Sequence, residues 1–141
     1  LQDYNAHLAA TPEELAHYLE PLSDAGVDIF HASQRRFWEP AFSDSSLNLA
    51  GWSRKLTGKP SITVGSIGLD GDLLQTMFEA DAAPVDTGHL NRLLDMVQAG
   101  EADLVAVGRG LIADPDWAEK VRKGRMGDLI PYTRQALANL D

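Results

Sequence analysis

The chain of 141 residues contains no cysteine, which excludes disulfides, thiolate nucleophiles and cysteine-ligated metal sites. This absence is typical of proteins in reducing compartments, and we expect a cytoplasmic protein. The sequence also lacks an apolar run near the roughly 18 residues that a membrane span needs, and its first residues lack the pattern of a signal peptide. We therefore expect neither a membrane partner nor a targeting segment.

Basic residues are scarce, because 12 lysines and arginines stand against 21 acidic residues and the formal net charge is −9. A nucleic-acid surface needs a basic footprint, so we expect no nucleic-acid partner. Histidines and carboxylates are scattered without the spacing of ligands or catalytic pairs, and we predict no metal site. The length and the charged and apolar fractions fit one globular domain or part of one.

Helical and strand patterns alternate along the chain, which predicts an α/β fold with parallel strands and crossover connections. Thr11-Pro12-Glu13-Glu14 is a capping box that begins a helix, and Gly26 is placed to end it. Further helices are predicted over Asp70–Ala80, over Leu90–Ala99 and from Asp114-Pro115 to Gly124. The predicted strands are Val27–Ala32, Ser61–Val64 and Leu104–Val107.

A long segment from Phe37 to Lys59 has little periodicity and is predicted to be a loop with one helical turn around Leu49–Leu56. Loops of this length in a compact domain are usually functional or mobile, so the segment is a candidate lid or wall of a site. The basic and aromatic residues at 35–38 either form an aromatic wall over a site or pack against a further part of the fold.

Two of the predicted strands run directly into glycine turns, at Gly65-Ser66 and at Gly108-Arg109. Glycine lets the backbone approach a ligand closely, and the arginine fork matches phosphate oxygens. We therefore predict that Gly65, Ser66, Gly108 and Arg109 bind the phosphate of a cofactor. The plainer interpretation is a turn glycine followed by a surface arginine that pairs with Asp114 or Asp116.

Three short parallel strands cannot close on themselves and leave two open edges. We interpret the chain as the last part of a (β/α)8 barrel, with an open doubly wound sheet as the alternative. The open edges predict that the chain associates with the remainder of the barrel or with copies of itself.

Three segments carry a family resemblance, namely 25–31, 60–68 and above all Ala102–Trp117. They resemble the carboxyl-terminal part of the Old Yellow Enzyme flavoproteins, the NADH:flavin oxidoreductases. The resemblance implies that residues 1–141 are the carboxyl-terminal part, about strands 6 to 8, of one FMN-binding TIM-barrel domain. It places the FMN phosphate at Gly65 and Ser66 and at Gly108 and Arg109.

The same resemblance implies that NADH or NADPH reduces the flavin, which passes hydride to an activated C=C bond of a small α,β-unsaturated carbonyl compound. The histidine pair and the tyrosine of such enzymes come from earlier strands, so no catalytic residue is assigned in this chain. The isolated chain is expected to be inactive without those strands. Tyr132 is placed near a flavin edge, as carboxyl-terminal aromatics are in some relatives.

Two other functions stay open from the sequence. One is a non-catalytic fragment or half barrel that only binds a partner, and the other is a different phosphate-binding TIM-barrel enzyme, such as a sugar-phosphate isomerase.

Overall fold

The computed structural model describes residues 7–69 and 85–139, which form two compact units. The first unit comprises Leu1–Gly65 and Arg92–Ala106, and the second comprises Ser66–Asn91 and Val107–Asp141. The helices are α1 (Pro12–Asp24), α2 (Leu49–Thr57), α3 (Thr87–Gln98), α4 (Arg109–Ala113) and α5 (Trp117–Arg122), and the strands are β1 (Phe30–Ser33), β2 (Ser61–Val64) and β3 (Leu104–Val105). Two 3₁₀ turns follow, at Met126–Asp128 and Arg134–Asn139. The helix predicted over Asp70–Ala80 lies outside the described residues.

The three strands lie in the first unit and form a parallel sheet in the order β1-β2-β3. Phe30 is opposite Ser61 in the first pair of strands, and Thr63 is opposite Val105 in the second. The α/β class and the parallel pairing predicted from the sequence are confirmed. Parallel register also means that β2 and β3 end at the same edge of the sheet.

The predicted bounds are correct for β2 and wrong for its neighbours. β1 begins at Phe30 rather than Val27, where the Phe30 N–H donates to Pro60 O at 3.0 Å. The preceding residues have no strand opposite them, because β2 begins only after Pro60. β3 ends at Val105 rather than Val107, although the Ala106 N–H still donates to Thr63 O at 2.9 Å.

Local capping signals in α1 are confirmed. The Glu14 N–H donates to Thr11 Oγ1 at 3.2 Å, and Pro12 is the first helical residue. At the other end, the Gly26 N–H donates to Ser23 O and the Val27 N–H to Leu22 O, which together make a Schellman motif. Gly26 has the positive φ that this motif requires, +99°.

The core of the first unit consists of side chains from α1, α2 and β1, together with Ala102 just before β3. Leu15, Leu19, Phe30 and Trp52 are buried together, and Ala32, Ala50 and Ala102 form a second cluster of small residues. Both clusters pack against Leu49, the first residue of α2.

The segment predicted as a loop from Phe37 to Lys59 contains a nine-residue helix, α2, in place of a single turn. Asn48 caps this helix by accepting the Gly51 N–H at 2.9 Å. The same side chain donates to Phe37 O at 2.9 Å and to Thr63 Oγ1 at 3.0 Å. Since Asn48 and Phe37 are fully buried, this part of the segment belongs to the core and does not act as a lid.

Helix α3 begins three residues before its predicted start at Leu90. Asp86 precedes it and accepts the His89 N–H at 3.0 Å, a capping interaction that periodicity alone does not indicate. The predicted end is confirmed. Gly100 has φ +72°, and its N–H donates to Val97 O at 3.0 Å.

The second unit has its own small core. Leu69 and Tyr132 are buried against each other, with Ile112, Ala113 and Ala136 packed around them. Trp117, the first residue of α5, is also buried.

Candidate functional site

The first predicted turn begins at Gly65, where a glycine is required by the fold of the first unit itself. Its φ is +148°, and a Cβ at this position would lie 2.5 Å from Gln34 O and 3.0 Å from Phe37 N. The Phe37 N–H also donates to Gly65 O at 3.1 Å. The close approach at Gly65 is therefore made by the loop after β1, whereas the sequence pattern predicts the approach of a ligand there.

Ser66 follows in a strained conformation. Its φ is +48°, and it is the one non-glycine residue with a positive φ in the described parts of the chain. A left-handed residue with a Cβ costs roughly 1–2 kcal/mol, and such residues persist where the surrounding structure enforces them. Its carbonyl accepts the Leu69 N–H at 3.2 Å, so Ser66 begins a tight turn that ends at Leu69.

The indole of Trp117 packs against two glycines of the second unit, each of which lies two residues after a predicted turn residue, Ser66 or Gly108. A Cβ on Gly68 would lie 3.2 Å from Trp117 Cζ2, and a Cβ on Gly110 would lie 3.1 Å from Trp117 Nε1. Any side chain at either glycine would displace the ring. The turn from Ser66 to Leu69 and the start of α4 therefore pack on one aromatic side chain.

Gly108 and Arg109 stand at the start of α4. Gly108 is exposed, and a Cβ placed on it would meet nothing within 4 Å, so its backbone is open to approach on that side. Arg109 is partly buried, and its Cζ lies 6.0 Å from the centre of the Tyr132 ring. Burial lowers the pKa of Arg109 and Tyr132 acts in the opposite direction, but an arginine remains a cation at neutral pH.

Asp114 is predicted as the N-cap of a helix, and the structure gives it another role. Helix α5 begins at Trp117, with Asp116 before it. Both carboxylate oxygens of Asp114 lie 2.8 Å from Lys120 Nζ, and Oδ2 also accepts the Ile130 N–H at 3.0 Å. Asp114 thus pairs with Lys120.

We expect Asp114→Asn to destabilise the protein by about 3 kcal/mol near neutral pH, because it breaks a buried, hydrogen-bonded ion pair. Burial raises the pKa of the Asp114 carboxyl, but hydrogen bonds from Lys120 and from the Ile130 N–H outweigh it, so the pKa lies below the ordinary 3.8. A carboxyl with a lowered pKa stabilises the fold above its unfolded pKa, and this contribution is lost as the pH falls through the folded pKa.

Urea unfolding of the natural protein and of Asp114→Asn, at about pH 6 and about pH 3, measures the contribution of this carboxylate to the unfolding free energy. The difference in unfolding free energy should shrink at the lower pH. Glu119→Gln is the matched control, since Glu119 pairs with Arg122 and Lys123 at the surface. A pH-independent difference between protein and Asp114 variant would rule out this role of the carboxylate.

The basic and aromatic residues after β1 have separate environments. Phe37 is fully buried and meets Trp38 edge to face, with ring centres 5.2 Å apart. Arg36 pairs with Glu39 at 3.0 Å. Desolvation, and then the charge of Arg36, lower the pKa of Arg35. Phe37 is therefore part of the first unit's core and does not form a wall over a site.

Within residues 7–69 and 85–139, no three histidine or acidic side chains cluster as the ligands of a metal ion would. None of the helices there has the length and apolar character needed to cross a bilayer.

These features define an α/β chain with a parallel sheet and a partly buried arginine at a turn that follows its last strand. No known family model matches the chain. Among curated proteins, an NADH oxidase from Thermoanaerobacter brockii is 32% identical to it over 127 residues, covering 84% of this chain. The chain spans 16% of the length of that protein.

Proposed function

We propose that this chain is part of an NAD(P)H-linked oxidoreductase of the Old Yellow Enzyme type and provides the FMN phosphate site of a (β/α)8 barrel. The observation that carries the proposal is the similarity to an NADH oxidase along 84% of the chain. The parallel sheet and the turns that follow β2 and β3 are consistent with the end of such a barrel.

The residues of the second unit fit a phosphate group. Arg109 offers a guanidinium for charge-assisted hydrogen bonds, and the exposed backbone of Gly108 leaves room for close approach. Ser66 adds a hydroxyl and an N–H at the neighbouring turn. Gly65, in the first unit, remains a predicted contact. Bound there, FMN would supply hydride transfer from NADH or NADPH to an activated C=C bond of a small α,β-unsaturated carbonyl compound.

Electrostatics favour an anion at Arg109. Its lowered pKa means that partial burial disfavours the guanidinium charge, and a dianionic phosphate beside it would offset that cost. The chain as a whole carries a formal charge of −9, so an anionic cofactor needs a local cation to bind. Arg109 would provide it, and this chain's own part in the reaction is to bind and position the cofactor.

The test uses the natural polypeptide that carries this sequence, purified with and without its flavin. We expect a yellow protein whose flavin is released on denaturation, whose bound flavin is bleached anaerobically by NADH or NADPH, and whose apoprotein binds FMN at least about 100-fold more tightly than riboflavin. Riboflavin lacks only the phosphate, so equal affinity for the two would refute the site. A colourless protein that binds neither flavin would instead support the non-catalytic half barrel.

We also propose that the sheet edges are covered by further parallel strands or by another copy of the chain. In the described ranges β1 and β3 each pair only with β2, and Leu104 of β3 is 53% exposed. An unpaired edge with apolar side chains favours association.

Sedimentation velocity of the 141-residue chain alone is expected to show dimers or larger species whose share grows with concentration. Leu104→Lys should reduce that share, because an edge lysine opposes strand pairing. Leu22→Lys, on an exposed position of α1, is the control. A monodisperse monomer at all concentrations would overturn the proposal.

A further inference from the structure

We infer that Tyr132 is a positioning residue that holds the Arg109 guanidinium in the orientation needed to bind a phosphate. The inference rests on the proposed function, since it concerns how the same arginine is held. Tyr132, which the family resemblance places near a flavin edge, is 2% exposed and packs on Leu69.

The first contact is between the ring and the cation. Arg109 Cζ lies 6.0 Å from the Tyr132 ring centre, which is within the range over which an aromatic face attracts a guanidinium. Burial lowers the pKa of Arg109, and the charge interaction with Tyr132 raises it. Because the ring is enclosed by the second unit's core, it offers the cation a rigid surface.

A second contact fixes the chain segment that carries the ring. Asp114, directly after α4, accepts the Ile130 N–H at 3.0 Å, two residues before Tyr132. Arg109, the first residue of α4, lies over Tyr132 itself. Both ends of this short helix therefore contact the same segment. A five-residue helix is not stable alone, so these contacts set the direction of its first side chain.

Orientation matters because an arginine side chain loses rotamer freedom when it binds a ligand. A guanidinium already held against an aromatic ring loses less freedom when its N–H groups meet phosphate oxygens. Tyr132 is thus expected to contribute to the recognition of the phosphate and not to that of the isoalloxazine ring.

The experiment measures the ratio of riboflavin to FMN dissociation constants in the apoprotein of the natural polypeptide. Tyr132→Leu should lower this ratio about fivefold, and Tyr132→Phe, which keeps the ring, should leave it within about twofold. Tyr18→Leu, at a tyrosine 52% exposed on α1, is the matched control and should change neither constant. If Tyr132 had only a structural role, its replacement would weaken the binding of both flavins equally. The ratio of dissociation constants would then stay unchanged, which would overturn the inference.

If Tyr132→Leu does not fold, replacement of Tyr132 by pentafluorophenylalanine keeps the ring's size and reverses the charge of its face. The ratio should then fall relative to Tyr132→Phe, and an equal ratio in the two proteins would contradict the inference. The two levels of the proposal fail differently. If the natural protein binds FMN no more tightly than riboflavin, the proposed function is wrong. If the preference for FMN is lost in Arg109→Ala but kept when Tyr132 is replaced by leucine, only the role of Tyr132 is wrong.

Discussion

Arg109→Ala is expected to weaken FMN binding by about 100-fold while leaving riboflavin binding within about twofold. The variant removes the cation and its fork of N–H donors, and charge-assisted hydrogen bonds to a phosphate account for about 3 kcal/mol. The side chain is partly buried at the start of α4. Isothermal titration of the apoprotein with each flavin gives both constants.

Two arginine variants serve as controls for that measurement. Arg36→Ala removes a cation that already pairs with Glu39, and Arg122→Ala removes one that pairs with Glu119 at the surface. Neither should change FMN affinity by more than about twofold. The FMN affinity of Arg109→Lys should lie between those of the natural protein and Arg109→Ala, because lysine keeps the charge but lacks the planar fork. If Arg109→Ala and Arg36→Ala bind FMN equally well, the assignment of the phosphate to Arg109 is wrong.

Gly65→Ala is expected to destabilise the protein by about 3 kcal/mol or more, through crowding and backbone strain together. Its Cβ would lie 2.5 Å from a carbonyl oxygen of the loop after β1, and the φ of +148° disfavours any side chain. The two nearest atoms, Gln34 O and Phe37 N, are backbone atoms, so no flexible side-chain end can move aside to make room. Urea unfolding followed by circular dichroism measures the loss.

Gly108→Ala is the matched comparison at the other predicted turn. A Cβ there meets nothing within 4 Å, so we expect the unfolding free energy to change by less than about 1 kcal/mol. In the proposed function the same methyl group would face the phosphate, and FMN affinity should fall while riboflavin affinity is kept. A Gly65→Ala protein as stable as the natural one would show that the loop after β1 can move aside.

Local structure follows the sequence most directly where a few adjacent residues decide the outcome. The N-cap at Thr11, the Schellman glycine at Gly26 and the full extent of β2 after Pro60 are all found as predicted. Asp114 shows the opposite case. Its Asp-Pro pair is a good local N-cap signal, but Lys120 and the Ile130 N–H compete for the carboxylate, and these partners come from further along the chain.

In the candidate site, too, local sequence patterns indicate some residues, whereas the contacts between distant residues are seen only in the structure. Strand-to-glycine transitions in the sequence indicate Gly65, Ser66, Gly108 and Arg109, but they contain no information about which atoms lie beside each residue. Tyr132 had no motif to mark it as a neighbour of Arg109, because an aromatic residue in an irregular tail is compatible with many positions. A pairing signal between positions 109 and 132 in related sequences is what could have revealed it.

The sequence by itself determined the α/β class, the parallel strands and the ends of the best-capped helices, because these depend on residues within a turn or two of one another. Tertiary structure alone decided that the loop after β1 occupies the space beside Gly65, that Trp117 joins two glycine turns, and that Tyr132 lies under Arg109. These contacts join residues far apart in the chain, and only packing of the folded units selects one arrangement among the many that local preferences allow.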